Sequence, residues 1–190
     1  MIDKISNTEE QFISIIEHCR DLFAKKTADY GTAWRILRMP TLTDQIYIKA
    51  QRIRSIQEAG EQKVKDPIRD EFIGMINYSV IALIQNKIKT IERENNLPLE
   101  MDPVETMDFY DTEVKTIKNL LTAKNHDYGE AWRSMRISSM TDLILQKLLR
   151  IKQIEDNGGK TLVSEGITAG YQDIVNYSVF CLILMNELNI

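Results

Sequence analysis

Phe12, Ile15, Ile16, Cys19, Leu22 and Phe23 recur at spacings of three and four, which on a helix of 3.6 residues per turn places them on one face. The pattern predicts a helix over 8–28, opened by a capping-box arrangement of Thr8 and Gln11 and stopped by Gly31 in a left-handed conformation. A short turn of helix is predicted over 33–37. Ile46, Ala50, Ile53 and Ile56 resume the helical stripe after Thr43, which reads as an N-cap, and Gly60 ends that element. A third helix opens at Asp66-Pro67, an acid before a proline in the first turn, and continues to about residue 95. Its middle is apolar nearly all round, the pattern of a helix buried at the centre.

The pattern then starts again. Val114, Ile117, Leu120 and Leu121 precede Gly129; Ile144, Leu148, Ile151 and Ile154 form the next stripe; a last apolar helix is predicted over 164–188. A shift of 98 aligns 26–60 with 124–158 without a gap, and 16 of those 35 positions are identical. One inserted residue moves the shift to 99, so that NYSV at 77–80 meets NYSV at 176–179. The expected organisation is a first helical repeat over 1–93, a polar linker over 94–106 containing Pro98 and Pro103, and a second repeat over 107–190. A three-helix unit cannot bury its own central helix. The predicted fold is therefore all-α: two tandem three-helix units sharing one core as a pseudo-two-fold helical bundle.

Composition changes this picture little. The 190 residues are 43% hydrophobic and 27% charged, with eight Gly and four Pro, as expected of a helical globular chain. A net charge of −4 gives no general attraction to nucleic acid or to anionic membranes. The apolar runs fall short of the roughly 18 residues that mark a membrane span, and no signal peptide is read at the start, so a cytoplasmic location is expected. Cys19 and Cys181 sit among core positions and read as reduced, buried thiols. His18 and His126 stand alone and read as surface residues. The sequence leaves open whether two chains associate as a homodimer.

Charge patterning adds more. Lys26, Asp29, Arg35, Arg38, Asp44, Lys49 and Arg52 are matched by Lys124, Asp127, Arg133, Arg136, Asp142, Lys147 and Arg150, whereas the apolar positions between them have been exchanged freely. Exposed ion pairs contribute only about 0–1 kcal/mol, so identical charges imply a positional demand. One reading is structural: the charges cap helices and pair with one another, with Tyr30 and Trp34 as packing anchors, and the protein is a non-enzymatic interaction or scaffold domain. The other is an anion site. Lys26, Tyr30, Trp34, Arg35, Arg38, Lys49 and Arg52, with Lys124, Tyr128, Trp132, Arg133, Arg136, Lys147 and Arg150, would hold a nucleotide or another phosphorylated small molecule, phosphates on the cations and a base on the rings. The third helix adds acids on one face: Asp66 and Asp70 in one copy, Glu165 and Asp173 in the other. Such carboxylates are candidates to hold Mg²⁺ together with substrate phosphates. Gly74 stands where the second copy has Asp173, and Ala169 stands where the first has Asp70. Asn77 and Asn176, in apolar surroundings, should be buried and hydrogen-bonded. No catalytic residue is identified.

The order K-x2-DYG-x-AWR, TD-x4-K-x2-R, then an acidic helix ending in NYSV resembles a bacterial and phage family labelled a nucleotide-modification-associated domain, in its tandem form and over nearly the whole chain. That family is more distantly similar to the all-α nucleotide pyrophosphohydrolases of the MazG and dimeric dUTPase type. The resemblance implies Mg²⁺-dependent cleavage of a nucleoside triphosphate, with Asp66, Asp70, Glu165 and Asp173 as the matching acids. Where those enzymes carry Glu-x-x-Glu on the preceding helix, this chain has Lys49-x-x-Arg52 and Lys147-x-x-Arg150. The expectation is thus binding of a phosphorylated ligand, with hydrolysis left open.

Overall fold

A computed structural model of the protein describes residues 2–95, 99–163 and 165–190, with side chains outside 2–7 and 90–95. Six long helices follow one another: α1 (Ile2–Tyr30), α2 (Met39–Ala59), α3 (Ile68–Asn95), α4 (Pro103–Tyr128), α5 (Ile137–Asp156) and α6 (Ile167–Leu188). Short 3-10 turns, Ala33–Ile36 and Ala131–Ser134, join α1 to α2 and α4 to α5. Gly31, Gly60 and Gly129 end their helices at φ +62°, +70° and +58°, the left-handed region where a side chain is disfavoured. The expected all-α pair of three-helix units is what forms.

Each helix packs on its own counterpart: α3 on α6, α2 on α5 and α1 on α4. This self-pairing is what a two-fold axis between halves produces. Phe72, Met75, Ile76, Val80 and Ile84 of α3 and Ile174, Val179, Cys181 and Ile183 of α6 are essentially inaccessible to solvent and form the centre. Helix α6 is long and apolar enough to cross a membrane by length and composition, which the apolar-run reading did not anticipate. Of its apolar window, 61% is buried inside the protein, so a central core position accounts for that composition.

Several predicted boundaries move. Helix α1 starts before Thr8, so Thr8 and Gln11 form no capping box; both accept hydrogen bonds from Arg133 Nη2, at 2.5 and 2.9 Å. Helix α2 starts at Met39, with Pro40 in the first turn, where a missing N–H leaves no bond unmade. Thr43 is therefore interior rather than an N-cap. Its hydroxyl lies 2.8 Å from Glu155 Oε1 and 2.7 Å from Tyr171 Oη. The 94–106 linker is shorter than expected, because α3 reaches Asn95 and Asp102 caps α4, accepting from the amides of Val104 and Glu105. Helix α6 begins at Ile167; the predicted start at 164 lies outside the described residues.

Two of the repeated charges find partners across the axis. Asp44 pairs with Lys152 at 2.6 Å, and its repeat counterpart Asp142 pairs with Arg54 at 3.7 Å. The Asp44 and Lys152 side chains are 57% and 33% exposed. Asp44→Ala is accordingly expected to lower the unfolding free energy by less than about 1 kcal/mol in a urea titration; a loss above about 2 kcal/mol would contradict this screened, half-exposed picture.

Candidate functional site

The last turns of α1 present Lys26 and Tyr30 four residues apart, hence on one face. Gly31 then reverses the chain so that the following 3-10 turn lays Trp34 back against α3. Between these elements and α2 opens a cleft of 740 Å³, lined among others by Lys26, Tyr30, Trp34, Lys49, Asp70, Gly74, Asn77 and Tyr78. The other half has a cleft of 490 Å³ in the same place. Every residue lining the second has its repeat counterpart lining the first: Lys124, Tyr128, Trp132, Lys147, Asp173, Asn176 and Tyr177 stand where the first has Lys26, Tyr30, Trp34, Lys49, Gly74, Asn77 and Tyr78. Both volumes fall within the ~300–1,000 Å³ usual for small-molecule sites. In each cleft the indole Nε1 of the tryptophan is buried without a partner among the described residues.

The clefts differ in where one carboxylate stands. In the second, Asp173 receives Lys124 at 2.8 Å on one oxygen and Lys147 at 2.6 Å on the other. Burial alone would raise its carboxyl, but the two lysine hydrogen bonds outweigh burial and hold it below the ordinary aspartate value. The first half has Gly74 there, and the Lys49 side chain lies across it: a Cβ on Gly74 would meet Lys49 Cε at 2.9 Å. Lys49 instead donates to Glu71, one helical turn earlier, at 3.0 Å. Glu71 is also held by Arg52 at 2.5 Å, and these partners overcome burial to lower its carboxyl. The second half has Gly170 at the Glu71 position, where a Cβ would meet Ile151 at 2.9 Å. Between the halves the acid has thus moved by one helical turn, off the wall of one cleft and onto the wall of the other.

A second difference concerns the repeated asparagine. Asn77 donates to Cys19 O at 3.0 Å and accepts from Tyr110 Oη at 2.8 Å, as a buried amide should. Asn176 is equally buried, but its Nδ2 and Oδ1 have no partner among the described residues. The expectation of a hydrogen-bonded amide therefore holds for one copy only. The cause is legible: Tyr110 is replaced at the equivalent α1 position by Phe12, which has no hydroxyl.

The six candidate arginines do not line either cleft. Arg133 bonds Glu130 and Glu187 in its own half and reaches Thr8 and Gln11 in the other, and its guanidinium covers the Trp132 ring at 4.5 Å. Arg35 is buried, and desolvation lowers its guanidinium despite the charge of Glu105. Arg52 and Arg150 each donate to the carbonyl at the start of the third helix, Asp66 O at 2.7 Å and Glu165 O at 3.5 Å, strapping equivalent loops. Arg38 and Arg136 are exposed at the N-cap positions of α2 and α5.

Of the acids proposed for metal binding, Asp70 lines the first cleft and Asp173 the second, while Asp66 and Glu165 lie exposed in the loops before α3 and α6. Among the described residues no group of three or more His, Cys, Asp or Glu side chains is arranged to hold a metal ion. Cys19 and Cys181 are free and buried, and burial pushes the Cys19 thiol up to about 12. His126 is exposed, and His18, also exposed, stands at the rim of the first cleft. Sequence reasoning did not single out Tyr78, Tyr177 or Glu71. The tyrosines could have been found from the repeated NYSV, and Glu71 from the exchange of Gly and acid at 71 and 74 against 170 and 173.

The family described as nucleotide modification associated domain 1 matches the chain twice, over residues 26–85 and 124–185. The two segments begin at the cleft lysines Lys26 and Lys124 and contain nearly all of each cleft wall. No curated protein and no solved structure matches the chain.

Proposed function

The chain belongs to the nucleotide modification associated domain 1 family, and from that premise we propose that its first cleft binds a nucleotide, with phosphate on Lys26 and Lys49 and the base among Tyr30, Trp34 and Tyr78. The observation that carries this reading is Lys49 lying across the bare backbone of Gly74 in a cleft that also receives Lys26. With no carboxylate between them at position 74, a ligand phosphate can take that place. Lys49 is held within reach of the Tyr78 ring, 6.0 Å from its centroid, so anion and aromatic surfaces adjoin. The indole N–H of Trp34 supplies a donor for the edge of a base.

The reading is for binding rather than hydrolysis. Among the described residues each cleft wall carries a single carboxylate, Asp70 or Asp173, and the two oxygens of Asp173 are already held by lysines. Several converging acids, as the pyrophosphohydrolase resemblance requires, do not meet among the described residues. The scaffold alternative accounts well for Arg133, Arg52 and Asp44, whose partners are internal. It gives no role to the paired clefts.

Calorimetric titration with nucleoside mono-, di- and triphosphates, with pyrophosphate release followed with and without Mg²⁺, separates the readings. Binding without turnover is expected, weakened about tenfold by Lys26→Ala and again by Lys49→Ala, since each removes one charge-assisted contact. Binding of no nucleotide, or affinity indifferent to both substitutions, would leave the scaffold.

A further inference from the structure

We infer that the second cleft is built for an uncharged heteroaromatic ligand, a nucleobase or nucleoside without phosphate, recognised by the side-chain amide of Asn176. The inference takes its ligand class from the nucleotide reading of the first cleft, but its site and chemistry are separate.

Three observations converge. First, the anion position is already filled from within. Asp173 occupies the place a phosphate would take, with one oxygen on Lys124 and the other on Lys147. A ligand anion would have to displace that carboxylate from two lysines and then lie beside it, a like-charge contact that disfavours it. Second, the Asn176 amide lines this cleft, is only 5% exposed, and has neither its donor nor its acceptor satisfied among the described residues. A buried amide left unpaired is destabilising, so a ligand presenting an adjacent donor and acceptor recovers a real deficit. Nucleobase edges present that pairing, and a primary amide complements it with one acceptor and two donors. Third, the faces of Trp132 are covered, by Phe180 stacked at 4.1 Å and by Arg133 at 4.5 Å. What this tryptophan offers is its edge, whose Nε1–H lacks a partner among the described residues. Stacking falls to Tyr128, 74% exposed, and to Tyr177 on the opposite wall.

The two clefts are therefore complementary in what they leave open. In the first, Asn77 is committed to Cys19 and Tyr110, and Gly74 stands where the other half has Asp173. In the second, the lysines are committed to Asp173, and the amide is open.

The test is calorimetric titration of the full chain with a panel of nucleosides and their 5′-monophosphates. Wild-type protein should bind a nucleoside at a site whose affinity falls about tenfold or more in Asn176→Leu, an apolar replacement of similar size that should keep or raise the Tm. Phe12→Tyr is the second variant: it supplies the hydroxyl that Tyr110 gives Asn77, and should weaken nucleoside binding while leaving Asn176 in place. Asp173→Asn should admit a monophosphate to this cleft, raising the stoichiometry from one per chain toward two. Nucleotide binding sensitive to Lys26 and Lys49 but with no nucleoside bound would overturn this inference and leave the first-cleft reading standing. Nucleoside binding indifferent to both Asn176→Leu and Phe12→Tyr would overturn it as well. Nucleoside binding lost in Asn176→Leu, with no nucleotide bound anywhere, would support it and sink the first-cleft reading instead.

Discussion

Tyr110→Ala is expected to lower the unfolding free energy by about 3–5 kcal/mol, the range for deleting a large buried aromatic side chain. Tyr110 belongs to α4 of the second repeat, is fully inaccessible to solvent, and stacks on Phe23 of α1 with ring centroids 4.8 Å apart. Its hydroxyl donates to Asn77 Oδ1 in α3 at 2.8 Å. One side chain thus joins both repeats through packing and through a buried polar contact. Truncation opens a cavity between helices that are fixed by the central α3–α6 pair and cannot easily close it. Tyr110→Phe dissects the two contributions: it keeps the ring and orphans the Asn77 oxygen, and should cost about 1–2 kcal/mol. Urea titrations of both variants, read by fluorescence and by circular dichroism, check the size and the ordering. A Tyr110→Ala loss below about 1 kcal/mol would mean that the halves are not coupled through this residue.

The architecture was legible because both of its causes are written into the chain. Helical periodicity set the elements, and the 98-residue repeat required each half to find a partner for its apolar third helix. What failed was local. Thr8 and Thr43 look like caps, but a threonine can sit inside a helix when its hydroxyl finds another acceptor or donor. Here those partners, Arg133 for Thr8 and Glu155 with Tyr171 for Thr43, come from the other repeat. Contacts across more than a hundred positions leave no periodic trace.

The repeated charges were read as one set, yet they divide by geometry. Lys26 and Lys49 with their copies line clefts, Arg52 and Arg150 strap loops, and Asp44 and Asp142 pair with Lys152 and Arg54 across the axis. Sequence spacing assigns residues to a helix face, not to the neighbour that face meets. The more telling signals were the departures from identity: Gly74 against Asp173, and Phe12 against Tyr110. Against a near-symmetric background each single exchange reports a change in one cleft.

That logic gives the largest expected effect on binding, from Gly74→Asp. The substitution writes the second cleft's carboxylate into the first. The nearest atoms to its Cβ would belong to the far end of Lys49, at 2.9 Å for Cε and 3.2 Å for Nζ, and a lysine tip can swing aside. Released from Glu71, which keeps Arg52, Lys49 would turn to the new acid as Lys147 turns to Asp173. Lys26 would close the arrangement as Lys124 does. The fold should tolerate the change, because replacing a helical glycine by aspartate alters intrinsic helix stability by only about a few tenths of a kcal/mol in the favourable direction. Nucleotide affinity should nevertheless fall about 10- to 100-fold, since a fixed carboxylate neutralises two phosphate contacts and repels the ligand. Gly74→Ala separates charge from bulk: it moves Lys49 without neutralising it and should cost far less affinity. Calorimetry on both variants beside wild type decides the matter. Equal losses would assign the effect to crowding of Lys49, whereas a loss confined to aspartate would place the ligand's negative charge at position 74.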